Sequence, residues 1–220
     1  VPGNSVEREY KTLRKNMVVQ QIRSRGLKNP RVTDVLGRIP RHRFVPLDLR
    51  TRAYDDCPLP IGEDQTISQP YIVALMTDAL DLSGNEKVLE VGTGSGYQTA
   101  ILCELAKQVF TLERIQSLGE NAERLLKDMG YTQFTFIFGD GSLGYEEEAP
   151  YDRVIITAAT PHIPPPLVEQ VREGGVIIAP VGRPFEQDLV KGVKREGKLK
   201  KKYLGGCRFV KLVGTHGFTR

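Results

Sequence analysis

Residues 86–105 read EKVLEVGTGSGYQTAILCEL. Lys87 to Val91 carries Val88, Leu89 and Val91, a short apolar run of the kind that forms a buried parallel strand. Gly92, Gly94 and Gly96 then alternate with Thr93 and Ser95. Three glycines let the backbone turn sharply and let a ligand approach the main chain with no Cβ in the way. Tyr97 to Leu105 follows as a helix, with Tyr97, Ala100, Ile101 and Leu105 close to one face. The free amides at that helix start can hold a carboxylate or phosphate. A tight strand-to-helix turn with no ligand has the same appearance, so the neighbouring sequence has to decide.

The neighbours favour a nucleoside-type ligand. The spacing is G-x-G-x-G, where a dinucleotide fingerprint has G-x-G-x-x-G. An acid, Glu90, stands two residues before Gly92. Residues 108–113, QVFTLE, read as a second strand ending in Glu113, which follows Gly92 by 21 residues (113 − 92). An acid at that offset can take both ribose hydroxyls in a βαβ unit. Together these features resemble motif I of the S-adenosylmethionine-dependent methyltransferases. The resemblance implies a cradle for the methionine end of that cofactor at Glu90, Gly92, Thr93, Gly94, Ser95 and Gly96, with Glu113 and Arg114 also in the cofactor site.

The chain has 220 residues, enough for one α/β domain with an added segment, and a net charge of +4. Its most basic part, KREGKLKKK at 194–202, suits either a nucleic-acid patch or a solvated hairpin. Gly197 among the lysines favours the hairpin, and no nucleic-acid partner is expected. Cys57, Cys103 and Cys207 are far apart and form no C-x-x-C. They imply a reducing compartment, without a disulfide framework or a zinc site. His42, His162 and His216 have no metal-ligand spacing, so no metal is expected. No apolar run approaches the ~18 residues of a membrane span. The opening VPGNSVEREYKTLRKN has no apolar signal core, so the expected location is the cytoplasm.

Residues 6 to 48 read as mostly helical. Tyr10, Leu13 and Met17 follow helical spacing, and Gly26 can end that helix. Asn29-Pro30 starts another, with Val32, Val35, Leu36 and Ile39 on one stripe and Pro40 as the stop. Residues 41–46, RHRFVP, read as an extended link. Ala53 to Pro70 is long, carries Pro58, Pro60 and Gly62, and shows no regular period. Such loops are usually functional or disordered. Ser68 suits the N-cap of the next helix and Pro70 its first turn. Ile72, Leu75, Met76, Ala79 and Leu80 then form the apolar stripe. Ser68 as a simple cap remains open on these residues alone.

PLPIG and QTISQPYIVALM, followed by VLEVGTGSGYQTA, resemble the protein-L-isoaspartate O-methyltransferases. RIPRHRFVP before them and YDRVIITAATPHIPPPLVEQVREGGVIIAPVG after them extend the resemblance over roughly residues 17–217. It implies methyl esterification, with S-adenosylmethionine, of the free carboxylate of L-isoaspartyl residues in damaged proteins and peptides. Repair then proceeds through a succinimide, and S-adenosylhomocysteine is left. It also implies that Ser68 is the active-site serine, that Thr66 and Ile67 line the same loop, and that all three contact the cofactor. Ile61, Gly62, Val181 and Gly182 border the peptide, together with Thr66 and Ser68. The sequence departs from the family at Glu63-Asp64, which replaces the usual aromatic or His and small residue and could alter substrate preference at the mouth. Lys211 stands where FVPL has Pro, in a terminal strand where the change should matter little.

The rest alternates. Leu118, Ala122, Leu125 and Met129 form a helix face closed by Gly130, and Phe134, Phe136 and Phe138 belong to a third strand. Asp140, between Gly139 and Gly141, suits either an Asx turn or an acceptor for an exocyclic amine. By the resemblance, Asp140 and Gly141 contact adenine. Val154 to Ile156 centres a fourth strand, after which the Asn/Asp-Pro-Pro-aromatic motif common among amino-methylating enzymes is missing. Pro161–Pro166 starts a helix through Leu167, Val168 and Val171, and Val176–Pro180 is a fifth strand. Two more strands are read at Asp188–Val193 and Arg208–Val213. The expected fold is α/β, a doubly wound, mostly parallel Rossmann-like methyltransferase sheet with an N-terminal helical segment. It is read as a single domain, with residues 1–66 as helical and loop segment and 67–220 as cofactor-binding core.

A carboxylate acceptor is already ionised at neutral pH, with a reference pKa near ~4. It needs alignment and loss of its water shell, and no base. The lack of a convincing catalytic His, Lys or Cys fits such an acceptor. Three rivals are weaker. A methyltransferase for RNA or small molecules gains from the basic turn but not from QTISQP. A nicotinamide oxidoreductase conflicts with the glycine spacing. A non-catalytic S-adenosylmethionine binder rests on Glu63-Asp64 alone.

Overall fold

Seven strands form one sheet in the spatial order β5-β4-β3-β6-β7-β8-β9. In this computed structural model, which describes residues 3–219, the central strand is β3, Lys87–Val91. Val1, Pro2 and Arg220 lie outside the described residues, including the start of the stretch that lacks a signal core. Strands β4 (Gln108–Glu113), β5 (Phe134–Phe138), β6 (Tyr151–Ile156) and β7 (Val171–Arg183) run parallel to β3. Strands β8 (Glu186–Arg195) and β9 (Lys198–Cys207) complete an antiparallel edge. The helices are α1 (Gly3–Asn16), α2 (Pro30–Arg38), α3 (Pro70–Ala79), α4 (Tyr97–Leu105), α5 (Gln116–Asp128) and α6 (Pro165–Gln170). The strand order reverses beside β3, so a crevice opens at its carboxyl end, where ligands bind in such sheets.

Side chains alternate across β3, as the two-residue period of a strand requires. Leu89 and Val91 join Phe110, Leu112, Tyr151, Val154 and Ile156 on one face. Val88 meets Val109, Leu102, Met76 and Leu80 on the other. Glu90 shares the Val88 face and pairs in register with Thr111 and Ile155. A third cluster joins the N-terminal segment to the core: Met17, Ile22, Val32, Val35 and Leu36 pack against Val73, Ala74, Tyr97, Ala100 and Ile101.

The expected strands β3, β4 and β5 and helix α4 appear with the bounds read from the sequence. Asn29 caps α2 by accepting from the Arg31 amide at 3.1 Å, and Gly26 closes the first helical run with φ +94°. The stripe read on α3 packs toward the sheet, with Met76 and Leu80 buried and Ile72, Leu75 and Ala79 partly buried against the same cluster. A second face, Val73 and Ala74, is buried toward the N-terminal layer, because two layers enclose the helix.

Other local expectations are corrected. Arg41–Phe44 is a 3₁₀ turn and not an extended link. The irregular stretch before α3 contains an antiparallel hairpin, β1 (Leu59–Gly62) with β2 (Gln65–Ile67). Glu63 and Asp64 form its tip with φ of +52° and +56°, the backbone of a two-residue hairpin turn. Gln69, not Ser68, is the N-cap of α3, and it caps with no side-chain hydrogen bond. Helix α6 stops at Gln170, and Val171 already belongs to β7. The hairpin read at the basic segment does form, turning at Glu196-Gly197 with φ of +53° and +73°, and its lysines 198–202 lie on edge strand β9. Residues 208–213 make only two isolated bridges, Lys211 with Ala159 and Val213 with Phe218.

Candidate active site

The glycine turn is hooked to the end of β4. The amides of Gly92 and Thr93 both donate to the Leu112 carbonyl, at 2.9 and 3.1 Å. From the β6 side, Thr157 Oγ1 donates to the Gly92 carbonyl at 2.7 Å. Gly92 has φ +99°, and a Cβ there would lie 2.4 Å from Thr157 Oγ1. The turn therefore needs glycine at this position for both backbone shape and space.

Beside this turn lies a cleft with about 880 Å³ of empty space, its open mouth included. Thr66, Ile67 and Ser68 line it from the β2–α3 connection, Gly92, Thr93, Gly94 and Ser95 from the turn, and Glu113 and Arg114 from the end of β4. Gly141 adds backbone from beyond β5. Ser68 is half-buried, and its hydroxyl makes no hydrogen bond to any described residue. Its carbonyl is held by Arg41 Nη2 at 2.7 Å.

Glu113 is buried and already engaged. Oε1 accepts from the amides of Arg114 and Ile115, each at 2.9 Å, and Oε2 from Gly94 at 3.0 Å. A carboxylate has about four acceptor positions. One on Oε2 therefore stays open toward a ligand hydroxyl, fewer than the two hydroxyls expected from the sequence.

Glu90 does not line the cleft. It lies fully buried beneath the turn, where Oε2 accepts from Thr99 at 2.6 Å and Thr111 at 2.7 Å. Thr111 Oγ1 lies 2.7 Å from Thr93 Oγ1, so a hydroxyl chain links the acid to the turn. Oε1 has no partner. Burial raises the Glu90 pKa to about 8, against the pull of the two threonine hydrogen bonds.

Asp140 is spent on the fold. Its Oδ1 accepts from the amide and hydroxyl of Ser142, at 2.9 and 2.7 Å, and its Oδ2 from those of Thr215, at 2.7 and 2.9 Å. Burial alone would raise its pKa, but these four bonds outweigh it and hold the carboxyl below its usual range. The Asx-turn reading describes this geometry, and Asp140 clamps the C-terminal segment with no acceptor position left over.

Gly62, Gly96, Val181 and Gly182 also lie off the cleft wall, and Ile61 lines a neighbouring hollow with Phe44 and Leu118. Val181 bridges to Thr160, two residues beyond the wall residue Ala158. Sequence reading missed Tyr97 and Gln98 at the start of α4, Thr157 and Ala158 after β6, and Val210 to Val213. The first four adjoin recognised elements and could have been inferred from strand ends. Nothing local marks Val210 to Val213, which reach the cleft only because the chain doubles back over β6.

A glycine turn with no Cβ in the way and a carboxylate with a free acceptor position, on the wall of one cleft, fit S-adenosylmethionine. The relatives agree. A sequence profile of the family protein-L-isoaspartate(D-aspartate) O-methyltransferase matches residues 13–217. The protein-L-isoaspartate O-methyltransferase of Syntrophus aciditrophicus (strain SB) is 55% identical, over 96% of this chain and 98% of its own length. That of Dictyoglomus turgidum is 53% identical, over 96% and 95%. A solved protein-L-isoaspartate O-methyltransferase superposes with TM-score 0.83 at 27% identity, over 93% of this chain and 67% of its own. A Plasmodium falciparum structure holding S-adenosyl-L-homocysteine shares the fold, with TM-score 0.78 at 23% identity over 93% and 98% of the two chains. The chain belongs to the protein-L-isoaspartate(D-aspartate) O-methyltransferase family, and is an S-adenosylmethionine-dependent enzyme that methyl-esterifies isoaspartyl residues of damaged proteins.

Proposed function

We propose that Ser68 orients the acceptor carboxylate and that the glycine turn with Glu113 holds the cofactor. The carrying observation is that the Ser68 hydroxyl, free of described partners, lines the same cleft as that turn. Bound S-adenosylmethionine supplies an electrophilic methyl group on a sulfonium. The chain's part is to place an oxygen in line with it and to exclude water. The free α-carboxyl of an isoaspartyl residue has a reference pKa of about 3.5, so it arrives ionised and needs no base. Ser68 donates one hydrogen bond to an oxygen that is not attacking, fixing the other in line.

On the cofactor side, the Ser95 amide, the one amide of the glycine turn that donates to no described residue, meets its carboxylate end, and Glu113 Oε2 accepts a ribose hydroxyl. Taking the second hydroxyl requires the Gly94 amide to turn away. Gly141 offers backbone to the adenine, in place of the saturated Asp140. Glu90 and Thr111 support the turn from below without touching ligand. Residues 1–66 and 67–220 act as one domain, a reading supported by the hydrophobic cluster that spans both.

The nitrogen of the following residue attacks the ester carbonyl and methanol leaves with its proton, giving a succinimide that water opens in part to normal aspartyl without the enzyme. Protein repair inside the cytoplasm is the fitting role. No helix among the described residues is long and apolar enough to cross a membrane, and no group of three His, Cys, Asp or Glu among them could hold a metal.

The test is transfer of labelled methyl to two peptides that differ only in L-isoaspartyl against L-aspartyl. Base-labile label on the isoaspartyl peptide alone is expected. Label on both, or on an amine, would refute the carboxylate assignment.

A further inference from the structure

Lys211 stands on the cleft wall with no ion-pair partner among the described residues. Its backbone is fixed on both sides. The Ala159 amide donates to the Val210 carbonyl, and the Leu212 amide donates to Ala159, both at 2.7 Å. Beyond it, Asp140 holds Thr215, and Ser142 Oγ accepts from the His216 amide at 3.0 Å. Leu212 is buried while Lys211 is exposed, so this strap is firm but the ammonium is free to move. The wall's carboxylate, Glu113, is committed to three backbone amides. Nothing within the fold uses the Lys211 charge, yet it borders a cleft whose acceptor is an anion.

We propose that Lys211 is a specificity-determining residue that draws a carboxylate of the isoaspartyl substrate into this cleft. The inference rests on the assignment of this cleft as the methyl-transfer site. The carboxylate is either the acceptor itself or an acidic side chain next to it in the peptide. Methyl transfer neutralises the acceptor, so a nearby ammonium stabilises the bound acid at least as well as the transition state. Its effect belongs in KM and not in kcat. An exposed ammonium is screened by salt, so the effect is modest and shrinks as ionic strength rises.

The experiment compares the wild type with Lys211→Met and Lys211→Arg. The substrates are two isoaspartyl peptides that differ only in a flanking Glu or Gln, assayed at low and high salt. S-adenosylmethionine affinity is measured separately by calorimetry. Lys211→Met is expected to raise peptide KM about two- to fivefold at low salt. It should leave kcat and cofactor affinity unchanged, and Lys211→Arg should restore KM. An equal rise for both peptides assigns the acceptor carboxylate, and a rise confined to the Glu peptide assigns the flanking acid. Unchanged KM for both peptides overturns the proposal. So does weakened S-adenosylmethionine binding with peptide KM intact, which would give the lysine to the cofactor. A wild type that methylates neither peptide would instead overturn the assignment of the cleft, and the proposal with it.

Discussion

Arg41 Nη2 donates to the carbonyl oxygen of Ser68 at 2.7 Å. The guanidinium is fully buried, its Nε donates to the Ala53 carbonyl at 2.7 Å, and it lies 5.0 Å over the Tyr97 ring. Burial lowers its pKa from the ordinary value, which Tyr97 partly offsets. Arginine nevertheless stays charged. Its Nη1 has no partner, and no carboxylate among the described residues pairs with it. A buried cation held only by carbonyls and a ring ties three pieces together: the N-terminal segment, the Ser68 loop and the start of α4.

Arg41→Lys keeps the charge but cannot span both carbonyls. Each lost hydrogen bond to a charged donor is worth about 1.5–3 kcal/mol. We expect a folded enzyme with kcat/KM lowered about tenfold, on the order of 1.4 kcal/mol of that loss appearing in the transition state. If Arg41 acts by positioning Ser68, the double variant with Ser68→Ala should be hardly worse than Ser68→Ala alone. Fully additive losses in that cycle would show that the arginine acts independently of Ser68.

Ser68→Ala removes one donor to the acceptor and leaves the cofactor cradle intact. The expected result is a fall in kcat of about ten- to a hundredfold, from one hydrogen bond to a charged group. S-adenosylmethionine affinity and melting temperature should hardly move, because the hydroxyl has no partner within the fold and is not the cap of α3. Full turnover in the variant would remove Ser68 from the mechanism.

Glu113→Gln puts an amide donor where backbone amides already point. One of the Gly94, Arg114 or Ile115 amides then faces another N–H. Cofactor affinity should fall about tenfold or more, with the loss of a charged acceptor worth about 1.5–3 kcal/mol. Calorimetric titration with S-adenosylmethionine measures it directly, and wild-type affinity would contradict the assigned role.

Glu90 sets a pH dependence of stability. Its folded pKa of about 8 lies above the ordinary value near ~4.3, chiefly through burial. Between those two values the unfolded chain has released the proton and the folded chain still holds it. Stability from this group is therefore full below about pH 4 and is lost progressively as pH rises through 8. Glu90→Gln cannot ionise and escapes that loss. Relative to wild type, its melting temperature should be higher at pH 9 than at pH 5. An identical offset at both pH values would mean that Glu90 ionises freely in the fold.

Much of the architecture is local and was legible in the chain. Glycines at 92, 94 and 96 after an apolar run dictate a strand, a turn and a helix, and at Gly92 the φ of +99° and the approach of Thr157 leave no place for a Cβ. The period of β5 and the Asn29-Pro30 start of α2 act over a few residues, and local physics decides them. What the sequence could not show is which polar groups would be consumed by the fold. Asp140 and Glu113 look alike as acids at strand ends. One is saturated by Ser142 and by Thr215, 75 residues away, and the other keeps an open position in the cleft. Glu90 belongs to the glycine motif, yet strand register turns it down onto Thr99 and Thr111. Arg41 under Ser68, and Lys211 on the cleft wall, arise where distant segments cross. Turn chemistry and periodicity therefore determined the elements and the cofactor cradle by themselves. Packing alone decided which side chains reach the ligand, because hydrogen-bond capacity is finite and long-range contacts fill it first.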